Sequence, residues 1–241
     1  MSSSRPRRRF RGLVITVVIL VVLGFIADRA AESFAEDRLA VLAEDEAAKY
    51  DVRATDTSVE VGGFGFLPQL ARGEFSEVTL TMNQPTVSAV QAEDLKVTMS
   101  GVHVPREALT GDSNAAVTVD SSDVQLRLSP VALTKLVART SGLDGLTLRI
   151  TGGKLQAQVK IQGVEAAATV QPQAQNGRIR LVVGELSGSI PSAIRELLTS
   201  QLAKGIQLPE LPFGASLKQV AVEGQAVALT ATAANVQLAG P

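Results

Sequence analysis

The chain has no cysteine and no tryptophan, and its 241 residues include one tyrosine, one histidine and seven phenylalanines. Without cysteine there is no disulfide, no thiolate metal ligand and no cysteine nucleophile. Aromatics make up 3% of residues against 45% hydrophobic, so a core has to be assembled from Val, Leu, Ile and Ala. One histidine, His103, cannot build a histidine-rich zinc site. It alternates between Val102 and Val104, which puts it on the outward side of a strand. Basic clusters are missing after the first eleven positions. Those positions hold Arg5, Arg7, Arg8, Arg9 and Arg11 and no acid, which leaves 18 Lys+Arg against 24 Asp+Glu beyond them, a net of −6. A nucleic-acid face needs the opposite sign, and nucleic acid is excluded as a partner.

Catalytic patterns are equally thin. "GDS" at Gly111–Ser113 resembles a hydrolase nucleophile, but no histidine lies downstream to activate Ser113. "TGGK" at 151–154 lacks the spacing of a phosphate-binding loop and leads into a strand. Asp120 and Asp123 in "VDSSDV" read as solvated acids of a turn rather than calcium ligands. The expectation is a protein that is not an enzyme, with no catalytic residue, metal or cofactor.

The N-terminus is informative. Behind the arginines, "LVITVVILVVLGFIA" from Leu13 to Ala27 is about fifteen residues without a charge. Arginines ahead of an apolar run keep the N-terminus cytoplasmic and send the rest across the membrane. Asp28 and Arg29 stand where a cleavage site needs small neutral residues, so an uncleaved signal anchor is favoured over a cleaved peptide. The expected organisation is a basic segment and signal or transmembrane helix over 1–27, an amphipathic helix over 28–49, and an α+β domain over 50–241. Its expected place is the plasma membrane, with the domain on the extracytoplasmic, periplasmic side. In the amphipathic helix, Ala27, Ala31, Phe34, Val41 and Leu42 fall near one stripe.

After Tyr50 the hydrophobic period becomes two. "EVTLTM" alternates Val78, Leu80 and Met82 with polar residues, and "KLQAQVKIQ" does so with Leu155, Ala157, Val159 and Ile161. In "LKVTMSGVHV" the alternation changes phase at Gly101, the signature of a bulge. About eight to ten such strands are expected in one long curved antiparallel sheet with a dry face. "SPVALTKLVART" predicts a helix capped by Ser129, with Val131, Leu133, Leu136 and Val137 apolar. "IPSAIRELLTSQLAKG" predicts a second, with Ile194, Leu197, Leu198 and Leu202 on its stripe. The fold class is therefore α+β, a curved sheet wrapped around amphipathic helices. Many inward positions are small, including Ala157, Ala166, Ala168, Ala231 and Ala233. Such a face either closes tightly under the helices or leaves an apolar hollow that suits an acyl chain.

Three of the phenylalanines gather in "GFGFLPQLARGEF". Phe64, Phe66, Leu67, Leu70 and Phe75 surround Pro68 in a segment too irregular for a strand and too short for a strong helix. It reads as a plug on one end of the core, or as the lip of a hollow apolar enough to meet a lipid. With the cavity-facing Ala157 and Val159 and the helical Leu198 and Leu202, these are the candidate lipid-binding residues.

The sequence also resembles a known family. "DRAAESFAEDRLA", "GFGFLPQLARGEFSEVTLTM", "AEDLKVTMSGVHVP" and "GGKLQAQVKIQGVEAAATVQP" are similar to the actinobacterial lipomannan elongation factor A type of phospholipid-binding protein, from about Asp28 onward. The resemblance implies a fold like the tubular lipid-binding proteins, a sheet wrapped round a helix as an apolar tunnel. It implies a cell-envelope protein that binds a phospholipid such as phosphatidylinositol and supports mannan-chain growth on lipoglycans. It transfers no catalytic residue. The alternative function is a non-enzymatic, membrane-anchored scaffold that recruits envelope-biosynthesis enzymes through its sheet surface or edges, with its protein partner unknown.

Overall fold

A computed structural model describes residues 7–49, 52–87, 90–109, 115–141, 145–161, 164–187, 206–207 and 214–238, with Glu196 and Ser200 as isolated helical residues. Helix α1 spans Arg7–Lys49 without a break, 43 residues or about 65 Å at 1.5 Å per residue. The chain continues through β1 (Val52–Arg53), β2 (Asp56–Gly62), the short α2 (Phe66–Arg72), β3 (Glu74–Asn83), β4 (Thr86–Val87), β5 (Val90–Gln91) and β6 (Asp94–His103). One-turn α3 (Arg106–Leu109) precedes β7 (Val117–Leu128) and α4 (Pro130–Ser141). The rest is strand: β8 (Leu146–Thr151), β9 (Lys154–Ile161), β10 (Val164–Gln175), β11 (Arg178–Ser187), β12 (Ile206–Gln207), β13 (Ser216–Glu223) and β14 (Ala226–Leu238).

The class is α+β and every strand pair is antiparallel. The expected single sheet is instead three. A six-stranded sheet runs β13-β14-β7-β6-β3-β2, a five-stranded sheet runs β12-β11-β10-β9-β8, and β1-β4-β5 form a small third. The division is non-local in origin: β14 returns from the C-terminus to pair with β7 over most of its length, leaving β8 to β11 to pair among themselves. Asp120 and Asp123 lie inside β7 and not in a turn.

Helix α4 sits where the sheets meet, packed on β8 and touching β5, β7, β12 and β14. Its start follows local rules. Ser129 Oγ accepts the amide of Ala132 at 3.1 Å, an N-cap bond. Thr134 Oγ1 donates back to the Pro130 carbonyl and accepts the amide of Leu148, which fastens the helix to β8. Leu133 and Val137 are fully buried on the core side, whereas Val131, expected with them, is 64% exposed. Around α4 the core is contiguous: Leu128, Leu146, Leu148, Leu155, Ile179 and Val227 interlock with it from both large sheets.

The phase change at Gly101 is real but wider than one bulge. Across β3, β6, β7 and β14 the apolar face switches parity at a single row, Ser76–Gly101–Asp120–Asn235. A lone bulge would slip the register between neighbours; here the pairing on both sides of the row stays in step. Gly101 and Asn235 adopt positive φ, 64° and 52°. A Cβ at Gly101 would collide with the Asp120 side chain.

Helix α1 docks differently from the amphipathic stripe expected of it. Phe34, Val41 and Leu42 are 65%, 54% and 59% exposed. The side that meets the domain carries Asp28, Ala31, Glu32, Ala35 and Glu36. The reason is polar. β2 is an edge strand, and α1 lies along it, so that Glu36 Oε1 accepts the amide of Val61 at 2.8 Å. Small alanines permit the close approach, and the carboxylate satisfies an edge amide that would otherwise be open. Among the described residues no helix is long and apolar enough to cross a membrane, so the transmembrane helix expected at Leu13–Ala27 is not found. Fifteen residues of helix reach about 22 Å, against about 30 Å of hydrocarbon.

Candidate functional site

The segment "GGFGFLPQLARGEF" is folded by contacts that local sequence does not supply. It forms α2, a helix of seven residues whose N-cap is Gly65 and which has no side-chain cap of its own. Asp28 of α1 takes that role. Its Oδ2 accepts the amide of Phe66 at 3.0 Å and its Oδ1 that of Leu67 at 2.7 Å. A carboxylate on the first free amides of a helix is a strong, charge-assisted arrangement. Asp28 is buried in making it. Gln69, 2% exposed, holds the segment from within. Its Nε2 donates to the carbonyls of Gly62 and Gly65, and its Oε1 accepts the amide of Ser76.

This frame separates the expected lip residues. Phe66 turns inward and stacks obliquely on Phe75, ring centroids 5.9 Å apart. Phe75 in turn packs on the cluster of Val102, Val119, Ala233 and Val236. Leu70 is partly buried. Phe64 and Leu67 turn outward, 95% and 40% exposed. The segment is thus a plug by Phe66 and Phe75 and an exposed apolar tip by Phe64 and Leu67.

Below the plug the apolar face of the six-stranded sheet is ordered in rows. Met82, Leu95, Leu126 and Leu229 form one; Leu80, Val97, Val124 and Ala231 the next; Val78, Met99, Ser122 and Ala233 a third. Beyond the phase change comes Phe75, Val102, Val119 and Val236. Buried residues mark both ends of the face. Met82 and Leu229 are buried at one, Val102, Val119 and Val236 at the other. Between them Val78, Leu80, Val97, Met99 and Val124 stay only partly buried, while Ser122, Ala231 and Ala233 at the β7–β14 side of the same rows are buried. Apolar strand side chains that keep exposure between two closed clusters can accept an apolar guest.

Ala157 and Val159 lie elsewhere, on β9, buried among the side chains around α4. Leu198 and Leu202 fall outside the described residues, as do Ser113 and most of the second expected helix. A cavity of about 480 Å³ opens where β9, β10 and β11 meet β13, walled by Lys154, Leu155, Val170, Gln171, Ala221 and Val222 among others. No expected site residue lines it. Its wall mixes cationic and amide groups with aliphatic ones, whereas the open rows of the six-stranded sheet are aliphatic almost throughout. His103 sits on the opposite side of that sheet, its Nε2 3.3 Å from Asp120 Oδ1, the two side chains 45% and 71% exposed.

Sequence reasoning missed Asp28 and Gln69, which position the segment, and Leu80, Val97 and Val124, which form the open rows. The only prior sign of Asp28 was its misfit in a cleavage site. No curated protein and no solved structure matches the chain. A family model does match: residues 26–232, which include Asp28, the plug and Leu80, Val97 and Val124 of the open face, fit the model of the LmeA-like phospholipid-binding family, and the chain belongs to that family.

Proposed function

We propose that this protein holds a phospholipid with an acyl chain laid against the open rows of the six-stranded sheet, and that it does so in the cell envelope. In this reading the N-terminal part of α1 attaches it to the plasma membrane, the domain stands on the extracytoplasmic side, and the bound lipid serves lipoglycan or other envelope assembly. The observation that carries the proposal is the partly exposed stretch around Leu80, Val97 and Val124, lying between closed clusters in a chain of a phospholipid-binding family. Attachment is supported by the large apolar side chains from Val17 to Ile26, which are 49% to 65% exposed, behind five arginines. Arginine stems are long enough to let a short run seat in the bilayer with the charges at headgroup level. No catalytic step belongs to this reading.

The test is mass spectrometry of lipids extracted from residues 28–241 purified without detergent. Phospholipid is expected in the wild type. Val97→Asp is expected to retain about tenfold less, because an acyl chain then has to desolvate a carboxylate. It should lower stability by less than about 2 kcal/mol, since the position keeps contact with water. Protein that carries no lipid and takes none up from vesicles would overturn the proposal. So would a Val97→Asp variant that unfolds outright, because that marks a closed core.

A second reading rests on a separate observation, the outward Phe34, Val41 and Leu42 of α1. Such a stripe suits a helix of an envelope enzyme recruited to a scaffold. On that reading Phe34→Ser with Val41→Ser releases the partner in pull-downs and leaves bound lipid unchanged.

A further inference from the structure

We infer that the tip of the β2–α2 segment, Phe64 with Leu67, is a second membrane contact, and that Asp28 holds it in line with the end of the apolar run of α1. The inference rests on the reading that the N-terminal part of α1 enters the bilayer, and adds where the folded domain meets that surface.

The geometry is directional. Val61 of β2 is bonded to Glu36 and, a few residues later, Phe66 and Leu67 are bonded to Asp28. Eight residues of helix separate Glu36 from Asp28, about 12 Å of axis. From β2 into α2 the chain therefore climbs α1 toward its N-terminal, apolar end. Phe64 is at the top of that climb, two residues before the first amide that Asp28 holds. Asp28 is the residue immediately after the uncharged run, and Phe25 and Ile26, 62% and 57% exposed, lie within one helical turn of it. The most exposed large apolar side chain among the described residues is thus placed beside the last turn of the segment that enters lipid.

An isolated ring at 95% exposure does nothing for the fold. Inside the domain Phe66 and Phe75 already form the plug, so Phe64 is free to serve outside it. An aromatic ring and a leucine at a loop tip, without a charged residue from Gly62 to Ala71, fit the headgroup–acyl boundary of a bilayer better than a protein pocket. The rigid link matters as much as the rings. A flexible tether would let the domain tumble, whereas two backbone bonds to one buried carboxylate fix which end faces the membrane. The plug between Phe66 and Phe75, and the open rows behind it, then face the leaflet that supplies the lipid.

The chain has no tryptophan, so Phe64→Trp introduces a single reporter at the tip. The full-length variant is reconstituted with phosphatidylcholine vesicles, made with or without bromine on the acyl chains, and flotation is scored alongside fluorescence. The emission is expected to shift to the blue and to lose most of its intensity in the brominated vesicles. Val131→Trp, on an exposed face of α4, is expected to show neither change. Adding Asp28→Ala to Phe64→Trp is expected to abolish the quenching while the protein still floats and still melts cooperatively. Flotation with an unquenched, unshifted Phe64→Trp overturns this inference and leaves membrane attachment standing. Failure to float overturns both. Quenching that survives Asp28→Ala removes Asp28 from its positioning role and confines the inference to the contact itself.

Discussion

Leu133→Ala is expected to cost about 2–5 kcal/mol of stability, the range for deleting a fully buried leucine and leaving a cavity. Leu133 has no solvent exposure. It stands on α4 at a place where residues of both large sheets converge, among Leu128, Leu148, Leu155, Ile179 and Val227. Those neighbours belong to strands fixed by their own ladders, and α4 is itself tied to β8 through Thr134 and Leu148. The surroundings therefore cannot collapse into the space, which pushes the cost toward the upper part of the range. For a domain of this size each kcal/mol shifts the melting temperature by about 2–4 °C, so a fall of about 8–15 °C is expected in a thermal melt followed by circular dichroism. Val131→Ala, two residues earlier on the same helix but 64% exposed, should change stability by less than about 0.5 kcal/mol. If the two variants melt alike, α4 is not the element that joins the sheets.

What could be read from the sequence follows from the range of the interactions. Strand β9 was legible because alternation is a local signal: Leu155, Ala157 and Val159 do face the core, and the polar residues between them do not. The Ser129 cap was legible for the same reason, since donor and acceptor lie three residues apart. The phase change at Gly101 was visible in β6, but its extension through Ser76, Asp120 and Asn235 depends on which strands pair, and no local pattern encodes that. The docking face of α1 was misread because hydrophobicity ranks Phe34 and Leu42 above Glu36. The helix instead meets an edge strand, where an amide acceptor is worth more than another methyl group. Helix α2 was missed because its cap comes from 38 residues upstream. Leu80, Val97 and Val124 look in sequence like any core residues; only their partial exposure between buried residues toward both ends of the face marks the difference.

Gly73→Ala tests the other join, between the plug segment and the sheet, and should cost about 3 kcal/mol. Gly73 ends α2 in the left-handed region at φ 72°, its amide shared between the carbonyls of Gln69 and Leu70. An L-residue pays about 1–2 kcal/mol to sit there. The remainder comes from β6. The Gly73 carbonyl accepts the amide of Val104 at 2.7 Å, which brings the two backbones so close that an added Cβ would stand 2.5 Å from the Val104 carbonyl oxygen. Backbone cannot rotate away as a side chain can. The end of β6 has to withdraw, and the Val104 bond weakens or breaks, at about 1 kcal/mol. Gly224→Ala supplies the reference, because Gly224 has a comparable φ of 62° and nothing within 4 Å of an added Cβ. The two variants share the conformational cost, so the excess loss at Gly73 measures the contact. An excess of at least about 1 kcal/mol in chemical denaturation is expected. Equal losses would mean that the segment is held by Asp28 and Gln69 alone, and that its C-terminal end is free to move away from the sheet.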